Sequence, residues 1–502
     1  MHFTHVHSRS HAGLEAPSVT VEIHLTAGLP HFQIVGLGDS ASRQVYGRVR
    51  SALLSSHFKW PDFRITVNLA PTDLPKGGTR FDLPIALGLL VASGQLPAQS
   101  LDDREFFGEL GLDGCIHSFH GALAAAMEAC RAHRVCGIAA QDAEKIASVT
   151  GGRILAAPDL LTLCAQLKAS TPPLIRTDFA FETPERQYPD LAELKGQPLT
   201  HEVLKLAAAG GHHLLMSGPP GVGKTLAASI LPGLLPELPP DTQRQVNLLR
   251  DLAGLGFING PPLRQPHHSS SIAALMGGTA KAIPGEISMA HGGVLFLDEL
   301  TEFPRPVLNQ LRQPLESGEI WVSRAAHQHR YPAQFQLVAA MNPCPCGHAG
   351  SRESVCRCTP DTIRRYRQGA SGPLMDRIDL HVTLRRPPPE CLLSGTDTPD
   401  YSATVRPDIA TARERQLHRQ GALNRDLRGE NLIAVCSLSS QTQKWLIEAM
   451  KTLQLSARST HRRLRVARTI ADLEGSTSVS VEHLNTAVGL REAPTDTDAV
   501  QA

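Results

Sequence analysis

The chain has 502 residues and carries 49 Lys+Arg against 48 Asp+Glu, a formal net charge of +1. At about 150 residues per domain this length predicts about three domains, and 41% hydrophobic with 19% charged residues excludes a disordered chain. The even charge balance taken alone argues against a nucleic-acid protein, and 4% aromatic residues exclude extensive stacking of bases on aromatic rings.

Met1–His11 is rich in His and lacks the apolar core of a secretion signal. Val19–Leu25 alternates as a strand, and Arg64–Leu69 (RITVNL) reads as a second strand. Between them, Ser42–Leu54 has helical spacing, with Val45, Val49, Ala52 and Leu53 on one side. Pro84–Ala92 reads as a buried helix, and Gly121–Ala132 as an Ala-rich one. The longest apolar stretch, Leu83–Gly94, is interrupted by Pro84 and is too short to span a bilayer, so a soluble, cytoplasmic protein with no membrane partner is expected. Residues 90–190 hold 13 acids and 8 bases. Residues 1–167 therefore form the first α/β segment, and the Pro-rich, aperiodic stretch 168–190 is a linker. A second α/β segment runs over 191–385, and a Pro/Gly break at 385–400 precedes a helical segment at 400–495. In that last segment Trp445, Leu446, Ala449, Met450 and Leu453 form one stripe, and Leu464, Ala467, Ile470 and Ala471 another. Residues 401–475 hold 13 bases and 7 acids, so the overall balance hides a basic C-terminal part. Only ten of the basic residues are lysine, so arginine, the bidentate phosphate binder, carries most of the positive charge.

The second segment carries the chemistry. Gly218-Pro219-Pro220-Gly221-Val222-Gly223-Lys224-Thr225 fits G-x-x-x-x-G-K-[ST] in full. It lies between a strand end at Leu214–Met216 and a helix start at Leu226–Leu231, where backbone N–H groups and a helix N-terminus face phosphate. Lys224 is expected on the β- and γ-phosphates of ATP and Thr225 on Mg²⁺. Val294–Leu297 reads as a buried parallel strand delivering Asp298 and Glu299 at its C-terminal end, where ligands of open α/β sheets bind. Asp298 would hold Mg²⁺ and Glu299 would polarise the attacking water. Phe335–Met341 is a third apolar strand ending at Asn342, a residue suited to orienting water or sensing the γ-phosphate, and equally to closing a strand with a turn. Arg377 lies between Asp376 and Asp379, which fits an arginine finger in a neighbouring subunit's site and equally an internal salt bridge with either acid.

Of ten cysteines, four cluster as Cys344-x-Cys346 and Cys356-x-Cys358. Two close thiolate pairs suit a tetrahedral Zn²⁺, with His348 as a possible substitute ligand; four free thiols in a loop is the other reading. Such a stapled loop would present Arg364, Arg365 and Arg367 to DNA or to a neighbouring subunit.

Gly218–Thr225, Gly292–Leu300 (GGVLFLDEL), Val338–Gly347 (VAAMNPCPCG) and Gly372–Leu380 (GPLMDRIDL) together resemble the magnesium-chelatase-like AAA+ ATPases. Arg64–Leu87 (RITVNLAPTDLPKGGTRFDLPIAL) narrows the resemblance to the bacterial YifB/ComM branch, over residues 4 to 490. The resemblance implies an N-terminal Lon-protease-like domain of the ribosomal-S5 type, an AAA+ P-loop core and a C-terminal helical lid. It implies a homo-hexameric ring acting as a helicase on single-stranded and branched DNA, recombinase-bound intermediates included, and driving branch migration during natural transformation. Under it, Arg377 becomes the trans arginine finger and Arg458 the lid's sensor arginine. Glu319–Phe335 matches a presensor β-hairpin and Pro266–Ile287 a helix-2 insertion, so that Arg324, Arg330 and Lys281 become candidate DNA contacts. The stretch Gly38–Gly47 departs from the family, which usually has a Pro-Glu pair with basic residues there.

A Lon-like domain raises the question of proteolysis. Aligned on the Lon nucleophile turn, residues 74–81 place Arg80 at the serine position, with Thr79 beside it and Lys76 nearby. A Ser–Lys protease needs an activated hydroxyl beside a lysine, and Thr79 lacks the flanking small residues of that turn, so peptidase activity is not expected. A metal-chelatase-like or protein-remodelling ATPase without DNA activity is the alternative function.

Overall fold

The computed structural model describes residues 2–71, 74, 79–169, 171–175, 188–278, 283–324, 327–350, 355–370, 372–393 and 400–490. The chain forms two compact units, residues 1–184 with 247–258, and residues 185–246 with 259–502. No helix among the described residues is long and apolar enough to cross a membrane.

The first unit is built on strands β1 (His2–Arg9), β2 (Ser18–Thr26), β3 (His31–Val35), β4 (Arg64–Ala70), β5 (Arg104–Phe106), β8 (Val135–Ala139), β9 (Ile154–Ala157) and β10 (Leu174–Ile175), with a short ribbon of β6 (Glu109–Leu110) and β7 (Ile116–His117). The sheet order is β10-β9-β8-β5-β1-β2-β4-β3. β2 and β4 match the alternation read from the sequence: Val19, Val21, Ile23, Leu25, Ile65, Val67 and Leu69 face the core. β1 was not foreseen. Its buried positions include Ser8, and Arg9 is held by a bidentate ion pair to buried Glu105 (2.6 and 2.7 Å), so it lacks an apolar signature. The helix Asp82–Ala92 is buried on nearly every side, as its composition implies. A Cβ on Gly88 would come within 2.3 Å of the Ile23 side chain, so glycine permits this close helix–sheet packing. Residues 247–258, which the sequence reading carried within 191–385, pack here. Leu248 joins the core around Leu123 and Ala126, and the Asp251 carboxylate accepts the Leu123 N–H at 3.0 Å. Within the expected linker, Leu174–Ile175 pairs with β9; residues 176–187 lie outside the described ones.

The second unit holds strands β11 (Leu214–Ser217), β12 (Leu263–Arg264), β13 (Val294–Leu297), β16 (Gln336–Met341) and β17 (Leu380–Thr383), all parallel, in the order β12-β13-β16-β11-β17. A separate antiparallel hairpin pairs β14 (Glu319–Arg324) with β15 (His327–Pro332). β13 is wholly buried, the mark of a central parallel strand covered on both faces. The C-terminal helices Tyr401–Gln420 and Ala457–Leu473 share one continuous core with this sheet: Ile409, Ala412, Leu464 and Ala467 pack in the same cluster as Leu214, Phe296 and Val338. On helix Ser440–Thr452 the expected stripe is partly buried at Trp445 and Leu446, whereas Leu453 is exposed because the helix ends before it.

Two histidines of this unit, half-buried His213 and buried His291, are held neutral. Burial, aided by Arg425, pushes His213 down to about 3, and its Nδ1 accepts the Leu337 N–H at 2.9 Å. Burial pushes His291 down to about 4; its Nδ1 accepts the Gln334 N–H at 3.2 Å. Both folded values lie below the ordinary 6.5, so the stability they contribute is complete above pH 6.5 and is lost as pH falls through the folded values. The melting temperature of this unit is expected to fall steadily from pH 6.5 to 4; an unchanged midpoint over that range would contradict the assignment.

Candidate active site

The parallel register assembles the site. Ser217 pairs with Met341, and Leu297 with Ala339, so the segments leaving β11, β16 and β13 emerge side by side at the C-terminal edge. After β11 the chain turns through Gly218–Gly223. Gly221 (φ +79°) and Gly223 (φ +92°) adopt left-handed conformations that favour glycine, and Gly223 caps the helix Lys224–Leu234. A Cβ on Gly218 would meet the Leu384 carbonyl at 2.6 Å. The Gln197 side chain, which sequence reasoning passed over, donates to the carbonyls of Val222 (3.3 Å) and Arg385 (2.6 Å) and braces the loop from behind.

Lys224 is buried, and its Nζ donates to the carbonyls of Gly218 (2.7 Å) and Pro219 (2.9 Å) and to Asn342 Oδ1 (3.0 Å). Burial lowers its pKa, while Asp298 and Glu299 act to raise it. The Thr225 hydroxyl donates to Asp298 Oδ2 at 3.1 Å, and Asp298 Oδ1 accepts the Glu299 N–H at 2.9 Å. A hydroxyl and a carboxylate this close form a hard oxygen donor set suited to Mg²⁺. Glu299 adopts φ +52°, a left-handed conformation costing a non-glycine residue about 1–3 kcal/mol. Its carboxylate lies 3.3 Å from His268 Nδ1, and the His268 ring packs edge-on against Phe303. His268 had no signal of its own in the sequence, since its partner is 31 positions away.

The remaining expected residues fall into other groups. Arg377 is ion-paired with Glu316, a partner the sequence reading did not name. Partial burial and then the neighbouring Arg458, Arg312 and Arg428 lower its pKa, so several guanidinium groups converge here. The two acids expected as its partners are engaged elsewhere. Asp376 faces Arg458 (3.7 Å) and Arg462 (3.6 Å), and Asp379 is buried against His212 Nδ1 (2.9 Å) and Arg465 (3.0 Å). Arg330 is ion-paired with Glu319 and stands opposite exposed Trp321 in the hairpin register. Arg324 ends β14; its side chain, and all of Lys281 and Lys76, lie outside the described residues.

The cysteines converge. Cys344 Sγ lies 3.3 Å from that of Cys346 and 3.7 Å from that of Cys356, the Cys346–Cys356 separation is 3.6 Å, and all four sulfurs, Cys358 included, lie within 4.8 Å of one another. The Ala349 N–H donates to Cys344 Sγ at 3.3 Å. Backbone N–H groups of Arg357 and His348 lower the Cys346 thiol to about 6.

In the first unit the Thr79 hydroxyl donates to Glu109 at 2.6 Å, and Arg80 is buried with its guanidinium 4.9 Å above the Phe119 ring. A guanidinium has no lone pair with which to attack a carbonyl, and this hydroxyl faces a carboxylate.

The family model for magnesium chelatase, subunit ChlI, matches residues 190–392. Those for subunit ChlI of Mg-chelatase and for the ChlI C-terminal region match residues 21–141 and 399–491. The protein YifB of Salmonella typhimurium is 43% identical over 97% of this chain and 96% of its own length. Competence protein ComM of Haemophilus influenzae is 43% identical over 97% of both chains. Lon protease 2 of Bacillus subtilis is 27% identical over 30% of this chain and 32% of its own.

Proposed function

Because this chain belongs to the YifB/ComM group of the magnesium-chelatase family, we propose that it is an AAA+ ATP hydrolase that moves along DNA. The observation that carries the ATPase reading is the convergence of Lys224, Thr225, Asp298, Glu299 and Asn342 on adjacent strand ends. The residues fit ATP and Mg²⁺: the loop glycines leave backbone N–H groups uncovered for phosphate, and Thr225 with Asp298 would hold the ion. The chemistry Mg²⁺ would supply there is neutralisation of charge on the terminal phosphates. Lys224 binds phosphate, Glu299 orients and deprotonates water, and Asn342 positions both Lys224 and the water. Arg377, released from Glu316, completes the neighbouring site of a homo-hexameric ring, with Arg458 beside it. The four cysteines would hold Zn²⁺, since a Zn–S bond of about 2.3 Å sets sulfur–sulfur edges of about 3.8 Å, close to the separations of 3.3 to 3.7 Å among Cys344, Cys346 and Cys356.

The name of the Haemophilus relative, a competence protein, supports work on DNA entering by transformation. The protein would act in the cytoplasm as a helicase on single-stranded and branched DNA, recombinase-bound intermediates among them, and promote branch migration. The N-terminal unit is a Lon-like scaffold without peptidase activity, in keeping with Arg80 at the nucleophile position. Contacts through Lys281, Arg324 and Arg330 would be mostly to phosphate, so affinity falls steeply with salt and depends little on sequence. The chelatase family match favours a second reading, ATP-driven metal insertion without DNA. One experiment separates them: ATPase rates with single-stranded DNA, duplex DNA, protoporphyrin and unfolded protein. Stimulation by DNA that fades between 50 and 200 mM salt is expected; stimulation by porphyrin alone, or by no DNA, overturns the helicase reading.

A further inference from the structure

The cysteine cluster touches three walls of the nucleotide site. Cys344, fully buried, follows Asn342 by two residues, so anchoring its sulfur anchors the end of β16, where Asn342 meets Lys224 Nζ at 3.0 Å. Gly347, in the turn closed by its N–H to the Cys344 carbonyl (2.9 Å), lies flat on the phosphate loop: a Cβ there would sit 2.7 Å from Pro220 Cδ. Beyond Cys358 the chain enters the helix Pro360–Gly369, whose Arg367 Nε donates to the Pro343 carbonyl at 3.3 Å. The far end of that helix reaches the turn after Glu299, where a Cβ on Gly369 would lie 3.2 Å from the Thr301 carbonyl. The helix has no buried residue of its own, so little apolar packing holds it in place. All four cysteines are free, with Cys344 and Cys346 Sγ 3.3 Å apart against a disulfide length of about 2.05 Å, and as thiolates within 4.8 Å they repel one another unless a cation sits between them.

We infer that a metal held by the four cysteines sets the position of Asn342, of Pro220 and of the helix Pro360–Gly369, so that metal occupancy governs nucleotide affinity and turnover. This rests on reading the Lys224 site as an ATP site. The metal is a soft-ligand divalent ion, with zinc the choice for four thiolates. Its role resembles that of the outer groups that orient a catalytic shell, whose loss typically lowers affinity or activity about 10–100-fold.

The test uses the full chain purified without chelator. Elemental analysis is expected to give about one zinc per chain, released by an organomercurial and restored by adding zinc after thiol rescue. Metal-free protein, and the double variant Cys356→Ser/Cys358→Ser, are expected to bind a fluorescent ADP about tenfold more weakly or worse, and to hydrolyse ATP correspondingly more slowly, at unchanged far-ultraviolet circular dichroism. Gly347→Ala, which presses on Pro220 without removing a ligand, is expected to weaken ADP binding while keeping its zinc. Absence of metal from active protein overturns the inference, as does unchanged ADP affinity after metal removal. A metal-free protein that loses helicity in step with ADP binding also overturns it, because the metal would then support the fold alone. Failure of the ATP reading shows separately: Lys224→Ala would bind ADP like the parent, with zinc in place.

Discussion

Replacing Lys224 with Ala is expected to abolish measurable ATP hydrolysis and to weaken nucleotide binding, with the fold intact. The Lys224 ammonium is buried and satisfied by two loop carbonyls and Asn342, all within 3.0 Å, so it is positioned before any phosphate arrives. A charge fixed in advance stabilises developing phosphate charge without reorganising, and removing one such donor costs about 10²–10³-fold in turnover. Glu299→Gln separates binding from chemistry. The amide keeps the size of the carboxylate but cannot take a proton from water, so nucleotide binding is expected to persist while hydrolysis falls by about 10²–10⁴-fold. The two variants are read together by equilibrium binding of fluorescent ADP and by single-turnover hydrolysis. If Lys224→Ala hydrolyses ATP within a fewfold of the parent, the site assignment is wrong.

The second large effect is on stability. Asp379 is buried immediately before β17, where burial opposes its charge, but Arg465 and His212 more than offset this and hold its carboxyl at about 2. The His212 ring joins Asp379 to the Thr469 hydroxyl (2.8 Å), which accepts from Asn424 Nδ2 at 3.0 Å. Asn424 also donates to Asp472 (2.8 Å), and Asp472 pairs with Arg419 (2.6 Å) and with fully buried Arg468 (2.9 Å). This network links the sheet to helices Tyr401–Gln420 and Ala457–Leu473. Breaking a buried pair from one side leaves an uncompensated charge and costs about 3–5 kcal/mol. Asp379→Ala is therefore expected to lower the melting midpoint by on the order of 10 °C. A midpoint within a degree or two of the parent would show that the network adds nothing to the fold. Because the folded value lies below 3.8, the stability Asp379 contributes is present above pH 3.8 and lost as pH falls toward 2.

Much of the nucleotide site was legible because its residues are local in sequence. Gly218–Thr225, Asp298–Glu299 and Asn342 each close or follow an apolar strand, and in a parallel sheet all strand ends of one polarity lie on one edge. What could not be read were partners set by long-range packing. Glu316 reaches Arg377 across 61 positions, and Asp379 turns inward to His212 across 167, away from the arginine two residues before it. Alternation showed β2 and β4, whose buried faces are apolar, and hid β1, where an ion pair and a serine fill buried positions.

By itself the sequence determined the strand-and-loop grammar of a phosphate-binding engine, the four-cysteine pattern and the family. Those depend on residue type at short spacing, which local backbone physics reads directly. The tertiary structure alone decided that the C-terminal helices share the core of the sheet, that His268 meets Glu299, and that the cysteine turn lies on Pro220. Such contacts join residues far apart in the chain, and only the packing of whole elements brings them within reach.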